Sequence, residues 1–361
     1  MAIELNIARR QKPGRGAGIN PQPRFEPHAR DDFDDGWDLP REGAPPRTQV
    51  TEEAAKSIIT RNQSPDIGFD RSINAYRGCE HGCVYCFARP THSYLGLSPG
   101  IEFETRLFAK PEAAALLAKE LAAPSYRCRS IAIGTNTDPY QPIERTYRIT
   151  REILEVLSET SHPVGIVTKS DLVLRDLDIL SPMAANGLAK VGLSVTTLNG
   201  ALARTMEPRA PTPAKRLAAI RTLASAGVPV TALVAPIVPA INDHEIEDIL
   251  AKVAEAGARH VNFVLLRLPN EVSDVVRDWL VRHFPDRARR VMSVMQAMRG
   301  GKDYDATWGL RQRGEGPFAQ SIAARFALAA KREGLVIGSV RLRTDLFTPP
   351  TRQRAQLDLF A

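Results

Sequence analysis

Three cysteines stand in one short loop, Cys79-Glu80-His81-Gly82-Cys83-Val84-Tyr85-Cys86, spaced C-x3-C-x2-C with an aromatic before the third. Three thiolates at this spacing can hold three irons of a [4Fe–4S] cube and leave the fourth iron open to a substrate or cofactor. The competing chemistry is zinc, with His81, His92 or Cys128 as a fourth ligand. Structural zinc sites are usually built from two separated pairs, and the sequence has no second pair. Four cysteines in 361 residues are too sparse for a disulfide framework. Cys128, between Arg127 and Arg129, reads as a structural or free thiol.

Chemistry at one loop needs a frame to hold it. From about Ser72 the chain alternates apolar, β-rich stretches with helix-period stretches. The pattern predicts strands at 73–76, 130–134, 164–168, 191–196, 228–234 and 260–266, and helices at 111–122, 150–159, 172–180, 213–226, 243–255 and 273–283. Six β/α units in series imply a parallel sheet, because each parallel crossover takes a helix. Right-handed crossovers then curl it into an α/β partial (β/α)6 TIM-like barrel. In such folds the reactive residues lie at the C-terminal ends of the strands, and the cysteines fall just after the first one. Residues 1–50 are rich in Pro, Gly, Arg and Asp and are expected to be irregular, draped over the core. A short helix is expected at 51–59. The organisation expected is an irregular segment 1–70, a barrel 71–284 and an extension 285–361, with a helix from Gly316 to Glu333.

The composition, 43% hydrophobic and 25% charged, is that of a soluble globular protein. No apolar run approaches the ~20 residues of a membrane span. The first residues lack the basic-then-apolar order of a secretory signal, so a cytoplasmic setting is expected. The net charge of +7 is unevenly placed: −2 over residues 1–70, +1 over 71–280 and +8 over 281–361. The C-terminal portion is therefore where a polyanion would bind, unless its charge is only a solvated surface.

The cysteine loop resembles that of the radical S-adenosylmethionine (SAM) superfamily, in which the open iron chelates SAM and reductive cleavage gives a 5′-deoxyadenosyl radical. The resemblance runs over about 74–268. Within it, Gly134-Thr135-Asn136-Thr137-Asp138-Pro139-Tyr140 and Met206-Glu207-Pro208-Arg209-Ala210-Pro211 resemble the subgroup related to spore photoproduct lyase, which implies DNA-repair photolyase-like chemistry. It implies Cys79, Cys83 and Cys86 as cluster ligands, Tyr85 near the adenine, Lys169 on the SAM carboxylate and Ser194 as a polar SAM contact. A zwitterionic methionyl group also needs acceptors for its ammonium, and Asn136 and Asp138 are candidates, turn formation before Pro139 being the alternative. Glu207 and Arg209 are expected to pair locally and remain secondary candidates. Two features depart from the lyase: Thr135 and Asn136 stand where it has a hydrogen-donating cysteine, and Phe87 where it has a relay tyrosine.

The chain ends Gln356-Leu357-Asp358-Leu359-Phe360-Ala361, which resembles the peptide that docks bacterial repair proteins on the DNA polymerase sliding clamp. Leu359 and Phe360 would fill an apolar pocket and Gln356 would bond at its rim; a tail folded back on its own barrel is the alternative. The function expected is a radical SAM enzyme, of lyase or modifying type, acting on nucleic acid with the help of an electron donor. The alternatives are the same chemistry on a protein or small molecule, and a non-catalytic iron–sulfur adaptor or sensor at the clamp.

Overall fold

In a computed structural model, which describes residues 14–26 and 47–350, eleven strands are formed among the described residues. They are β1 (Gln49–Glu52), β2 (Ile59–Arg61), β3 (Arg71–Ile73), β4 (Tyr76–Arg77), β5 (Arg106–Ala109), β6 (Ile131–Ile133), β7 (Val164–Thr168), β8 (Ala189–Ser194), β9 (Val230–Ile237), β10 (His260–Leu265) and β11 (Val336–Ile337). The main sheet runs β11-β10-β9-β8-β7-β6-β3-β2. Its six central strands, β3 and β6 to β10, are parallel and follow one another in chain order, as six β/α units require. The edges β2 and β11 do not pair with each other, so the hydrogen-bonded sheet is open. Runs such as Val191, Leu193 and Ala232, Val234 are fully buried because helices cover the sheet.

The crossovers are helical where the apolar period predicts. The helix Ile149–Glu159 buries Ile149, Ile153, Leu154 and Leu157, which fall at i, i+4, i+5 and i+8 and so share one face. Pro213–Ser225 starts with proline in its first turn behind Thr212, whose side chain accepts from the Lys215 N–H; such a cap contributes about 1 kcal/mol. Val272–His283 and Gly316–Arg332 also match expectation within two residues. No helix among the described residues is long and apolar enough to cross a membrane.

Two expectations at the start of the fold fail. Residues 51–59 form no helix: Val50 and Thr51 lie in β1, which runs parallel to β5, and the Glu53 N–H extends the ladder to the Ala109 carbonyl at 2.7 Å. The β-branched pair and the partner strand outweigh the acidic start that resembled a helix cap. The expected first strand is also divided. β3 stays in the main sheet, while β4 turns away to pair antiparallel with β5 in a small sheet, β1-β5-β4. The cysteines therefore leave from this second sheet, one step beyond the end of the first parallel strand.

The extension contributes helices Pro285–Ala297 and Gly316–Arg332 and then crosses the N-terminal ends of the strands. The Arg343 N–H bonds to the Gly187 carbonyl at 3.0 Å and the Thr348 N–H to that of Thr160 at 2.9 Å. Lys190 Nζ donates to the Val340 carbonyl at 2.6 Å. Phe347 packs on His162 and Tyr126, with ring centroids 5.2 and 5.6 Å apart. Much of the extension's basic surplus is used internally. Arg299 is buried and donates to the Leu266 and Leu310 carbonyls, Arg325 pairs with Glu247 at 2.7 Å, Arg311 pairs with Asp66, and Arg313 lies 3.9 Å from the centre of the Phe263 ring. Arg289 and Arg290 remain exposed on the outer helix.

Candidate active site around the cysteine loop

The loop opens at Gly78, whose φ of +74° favours glycine; a Cβ there would meet Leu107 Cδ2 at 2.6 Å and the Phe103 carbonyl at 2.8 Å. The Gly78 carbonyl accepts from Thr137 Oγ1 at 2.6 Å and Gln141 Nε2 at 3.2 Å. The Cys79 N–H reaches the Phe103 carbonyl at 3.0 Å and the Val84 N–H that of Met206 at 3.0 Å. Arg89, fully buried, ties the Cys83 carbonyl to the Glu104 carboxylate at 2.9 and 2.5 Å. That carboxylate also accepts from the Gly16 and Ala17 N–H groups, both at 2.9 Å. The irregular N-terminal segment is thus seated on the loop, and Gly16 lies so close to the Gly82 carbonyl that no Cβ would fit.

Cys79 and Cys83 are buried and Cys86 is half-buried. Burial, then Asp138, then the other two thiols push the Cys79 thiol well above its ordinary range. Burial does the same to Cys83; Lys169 opposes it, and Glu207 and Cys86 add to it. Two buried thiols that resist ionising, with a third cysteine beside them, fit a cationic multi-iron group, whose irons take the place of the protons. No three His, Cys, Asp or Glu side chains among the described residues are gathered as ligands of a single ion. His92 gives the zinc alternative no support: its Nε2 lies 2.9 Å from the Arg106 carbonyl, and its ring packs on Phe103 and Phe108. Cys128 precedes β6, at the end of that strand away from the loop, its thiol pushed up to about 11 by burial.

Two of the residues expected to meet SAM, Lys169 and Tyr85, lie together on the Cys83 side. Lys169 follows β7 and places its Nζ 5.7 Å from the centre of the Tyr85 ring, near enough to Cys83 to favour its thiolate. Tyr85 is buried beside them. Ser194 ends β8, buried, its carbonyl accepting from Arg216 Nη1 at 3.3 Å. Asn136 stands at the end of β6, its N–H on Asn74 Oδ1 at 2.9 Å. Asp138 is turned into the frame. It accepts from Thr168 Oγ1 at 2.6 Å, the Lys169 N–H at 2.8 Å and the Tyr140 N–H at 2.9 Å. His81 Nδ1 lies 3.3 Å away, off the line a hydrogen bond needs. Burial alone would raise the Asp138 carboxyl; His81 and the bonds from Thr168 and Lys169 hold it below the usual carboxylate range.

The expected local pairing of Glu207 with Arg209 is wrong. Arg209 pairs with Glu80 of the cysteine loop at 3.1 Å. Glu207 pairs with Arg216, both buried, and also accepts from the Tyr85 hydroxyl and from Thr196 Oγ1 at 2.8 Å. Helix Pro213–Ser225 carries Arg216 on its buried face, so the chain folds the cation back over the carboxylate. Thr196 and Arg216 were not foreseen. The only sequence signal was an arginine at an apolar position of that helix, and it names no partner.

Residues 73–253 match the family described as the Radical SAM superfamily. The chain belongs to that superfamily. Its members are radical SAM enzymes, and membership implies SAM and an iron–sulfur cluster. Uncharacterised proteins of Mycobacterium tuberculosis and Mycobacterium bovis are 38% identical over 224 residues, 62% of this chain and 66% of theirs. The chain thus spans just under two thirds of these relatives. An uncharacterised protein of Methanocaldococcus jannaschii is 29% identical over 202 residues, 55% of this chain and 71% of its own. Among solved structures, spore photoproduct lyase complexed with dinucleoside spore photoproduct superposes with a TM-score of 0.56 at 15% identity, covering 80% of this chain and 81% of that one. A mutant of that lyase with bound AdoMet and the same dinucleoside gives the same values. At that identity the likeness is one of fold.

Proposed function

We propose that Cys79, Cys83 and Cys86 hold three irons of a [4Fe–4S] cluster and that the radical SAM enzyme so formed repairs or modifies nucleic acid. Held there, such a cluster would supply the single electron for reductive cleavage of SAM to a 5′-deoxyadenosyl radical. The observation that carries the reading is the convergence of the buried Cys79 and Cys83 thiols with Lys169 and Tyr85. In it Lys169 Nζ pairs with the methionyl carboxylate, and Ser194 and the Asn136 side chain offer polar contacts to the rest of SAM. Tyr85, its hydroxyl fixed on Glu207, presents a rigid ring to the adenine. Asp138 holds the Lys169 backbone in place and has few acceptor positions left for an ammonium.

For the substrate class, support comes from the fold-level likeness to a lyase solved with a dinucleoside and from exposed Arg289 and Arg290, which suit phosphates. The tail Gln356 to Phe360, expected to dock on the sliding clamp, lies outside the described residues. Its role stands as a proposal: deleting it should abolish co-elution with the clamp and leave cluster content unchanged. The deciding experiment is 5′-deoxyadenosine formation by anaerobically reconstituted, reduced protein with SAM. A rise on adding DNA supports the whole reading. Formation indifferent to DNA moves the substrate to proteins or small molecules. None from cluster-replete protein overturns the enzyme and leaves the adaptor.

A further inference from the structure

Phe87 directly follows the third cysteine, and its side is left in solvent, 47% exposed, between half-buried Cys86 and buried Ala88. Its company sets it apart from a stray apolar surface group. Arg267, two residues beyond the end of β10, holds its Cζ 4.9 Å from the centre of the Phe87 ring and 5.9 Å from that of Tyr304. Among the described residues this guanidinium makes one hydrogen bond, from Nη2 to the Tyr304 hydroxyl oxygen at 3.2 Å, and pairs with no carboxylate. Its Nε is buried without a partner. Tyr304 is held from behind: the neighbouring Asp303 pairs with Arg277 at 2.7 Å and accepts from Gln296 Nε2 at 2.9 Å.

The stretch that leaves β10 anchors a second group of the same kind. Glu271 pairs with Arg24 at 2.8 Å, and the Arg24 guanidinium lies 5.3 and 5.9 Å from the centres of the Phe25 and Tyr94 rings. Those rings are 5.0 Å apart and are 58% and 70% exposed. Phe87 and Tyr94 thus both come from the chain just after the cysteines, and each meets an arginine tied to the exit of β10. Lys169 and Ser194, which would meet SAM, stand at the ends of β7 and β8, and β9 separates those strands from β10. The aromatic groups therefore border the cysteine loop on the side away from SAM.

We propose that Phe87, Arg267 and Tyr304 seat an unpaired base of a single-stranded nucleic acid, and that Phe25 and Tyr94 stack a neighbouring base of the same strand. This seat rests on the nucleic-acid reading above and narrows it to the unpaired form. Aromatic and guanidinium planes hold bases without regard to sequence, because every base has a π-face. A base inside a duplex has no free face to offer them. An arginine stacked on a ring keeps its in-plane N–H donors for a phosphate, and no carboxylate takes those of Arg267. An aliphatic substrate would have no use for the charge, and a simple anion none for the rings.

The test is binding to full-length, anaerobically reconstituted protein of three probes: fluorescein-labelled oligodeoxythymidine, the same strand annealed to its complement, and thymidine monophosphate. Phe87→Leu and Tyr94→Leu keep an apolar side chain and remove a ring. Each should raise the dissociation constant for the single strand about fivefold or more, without changing its salt dependence. Arg267→Met should weaken binding and reduce the slope of log affinity against log salt by about 0.7, the share of one phosphate contact. Arg267→Lys should restore that slope but not the affinity, a split that a merely structural role would not produce. The annealed duplex should bind more weakly than the single strand and be indifferent to both leucine variants. Unchanged single-strand affinity in the leucine variants, equal losses on duplex, or monophosphate bound as tightly as the oligomer overturns the seat. In the first two cases the nucleic-acid reading stands. Wild-type protein that binds neither strand form loses that reading, and the seat with it. Should Phe87→Leu fail to fold, Tyr94→Leu, at an exposed position, still decides.

Discussion

At the C-terminal ends of the strands Glu104, Glu144 and Glu207 are buried, each paired with an arginine: Arg89, Arg175 and Arg216. At the N-terminal ends the closure is made by Phe347, His162 and Tyr126 and by main-chain bonds from residues 343 and 348. Buried ion pairs add little net stability over well-packed apolar groups, yet breaking one is costly. Aromatic packing stabilises without aiming anything. One end is organised to fix the direction of a loop, and the other to hold the sheet together.

The contrast is broken most sharply at Glu207. Glu207→Ala would leave Arg216 buried without its carboxylate and release Tyr85. A loss of about 3–5 kcal/mol is expected, read as a lower denaturant midpoint, together with loss of SAM binding. A midpoint within error of wild type would remove Glu207 from the frame. A second measurement places one histidine at each end, His92 beside the loop and His162 beneath Phe347. Burial holds both rings neutral, with protonation pushed down to about 4. A histidine depressed in this way contributes stability that is complete above its unfolded value of about 6.5 and is lost as pH falls toward 4, because the unfolded chain takes the proton first. His162 should account for on the order of 3 kcal/mol over that window. Urea unfolding of His162→Phe should be flatter between neutral and acidic pH than that of wild type, and parallel profiles would refute the assignment.

Phe347→Ala should cost about 2 kcal/mol at a half-buried site, lowering the melting temperature while leaving the ultraviolet–visible spectrum of the reconstituted cluster unaltered. A changed cluster spectrum would mean that the two ends are coupled. The smallest effect on stability is expected at Lys169→Met, within about 0.5 kcal/mol, with SAM affinity falling at least tenfold. Retained affinity would take Lys169 out of the site.

Much of this was legible in the sequence, for reasons visible at particular residues. The 164–168 strand was bounded correctly because Val164, Ile166 and Val167 lie between a turn and a polar Thr168-Lys169 step. The cysteine loop could be read because its chemistry is local. The division of β3 from β4 could not, since nothing in Ile73-Asn74-Ala75-Tyr76 states that β5 is waiting elsewhere. Pairing across distance was the commonest loss. Arg209 lies two residues from Glu207, yet Arg216, one helix turn into the next element, takes the carboxylate because both are buried by the same sheet. The basic surplus was also counted as surface, whereas Arg299 and Arg313 are spent on carbonyls and on a ring.

The seat of Gly16 and Ala17 on Glu104 bears on the order of biogenesis. These residues are synthesised well before Gly82 and Glu104, the positions they touch. During translation they must wait undocked until the loop and its carboxylate emerge. Closing so long a span carries an entropic cost that grows only slowly with length, so the wait is tolerable. The cysteine loop therefore reaches its final shape only after Glu104 has been made and residues 16 and 17 have settled on it, so the three thiols are fixed in place well after they are synthesised.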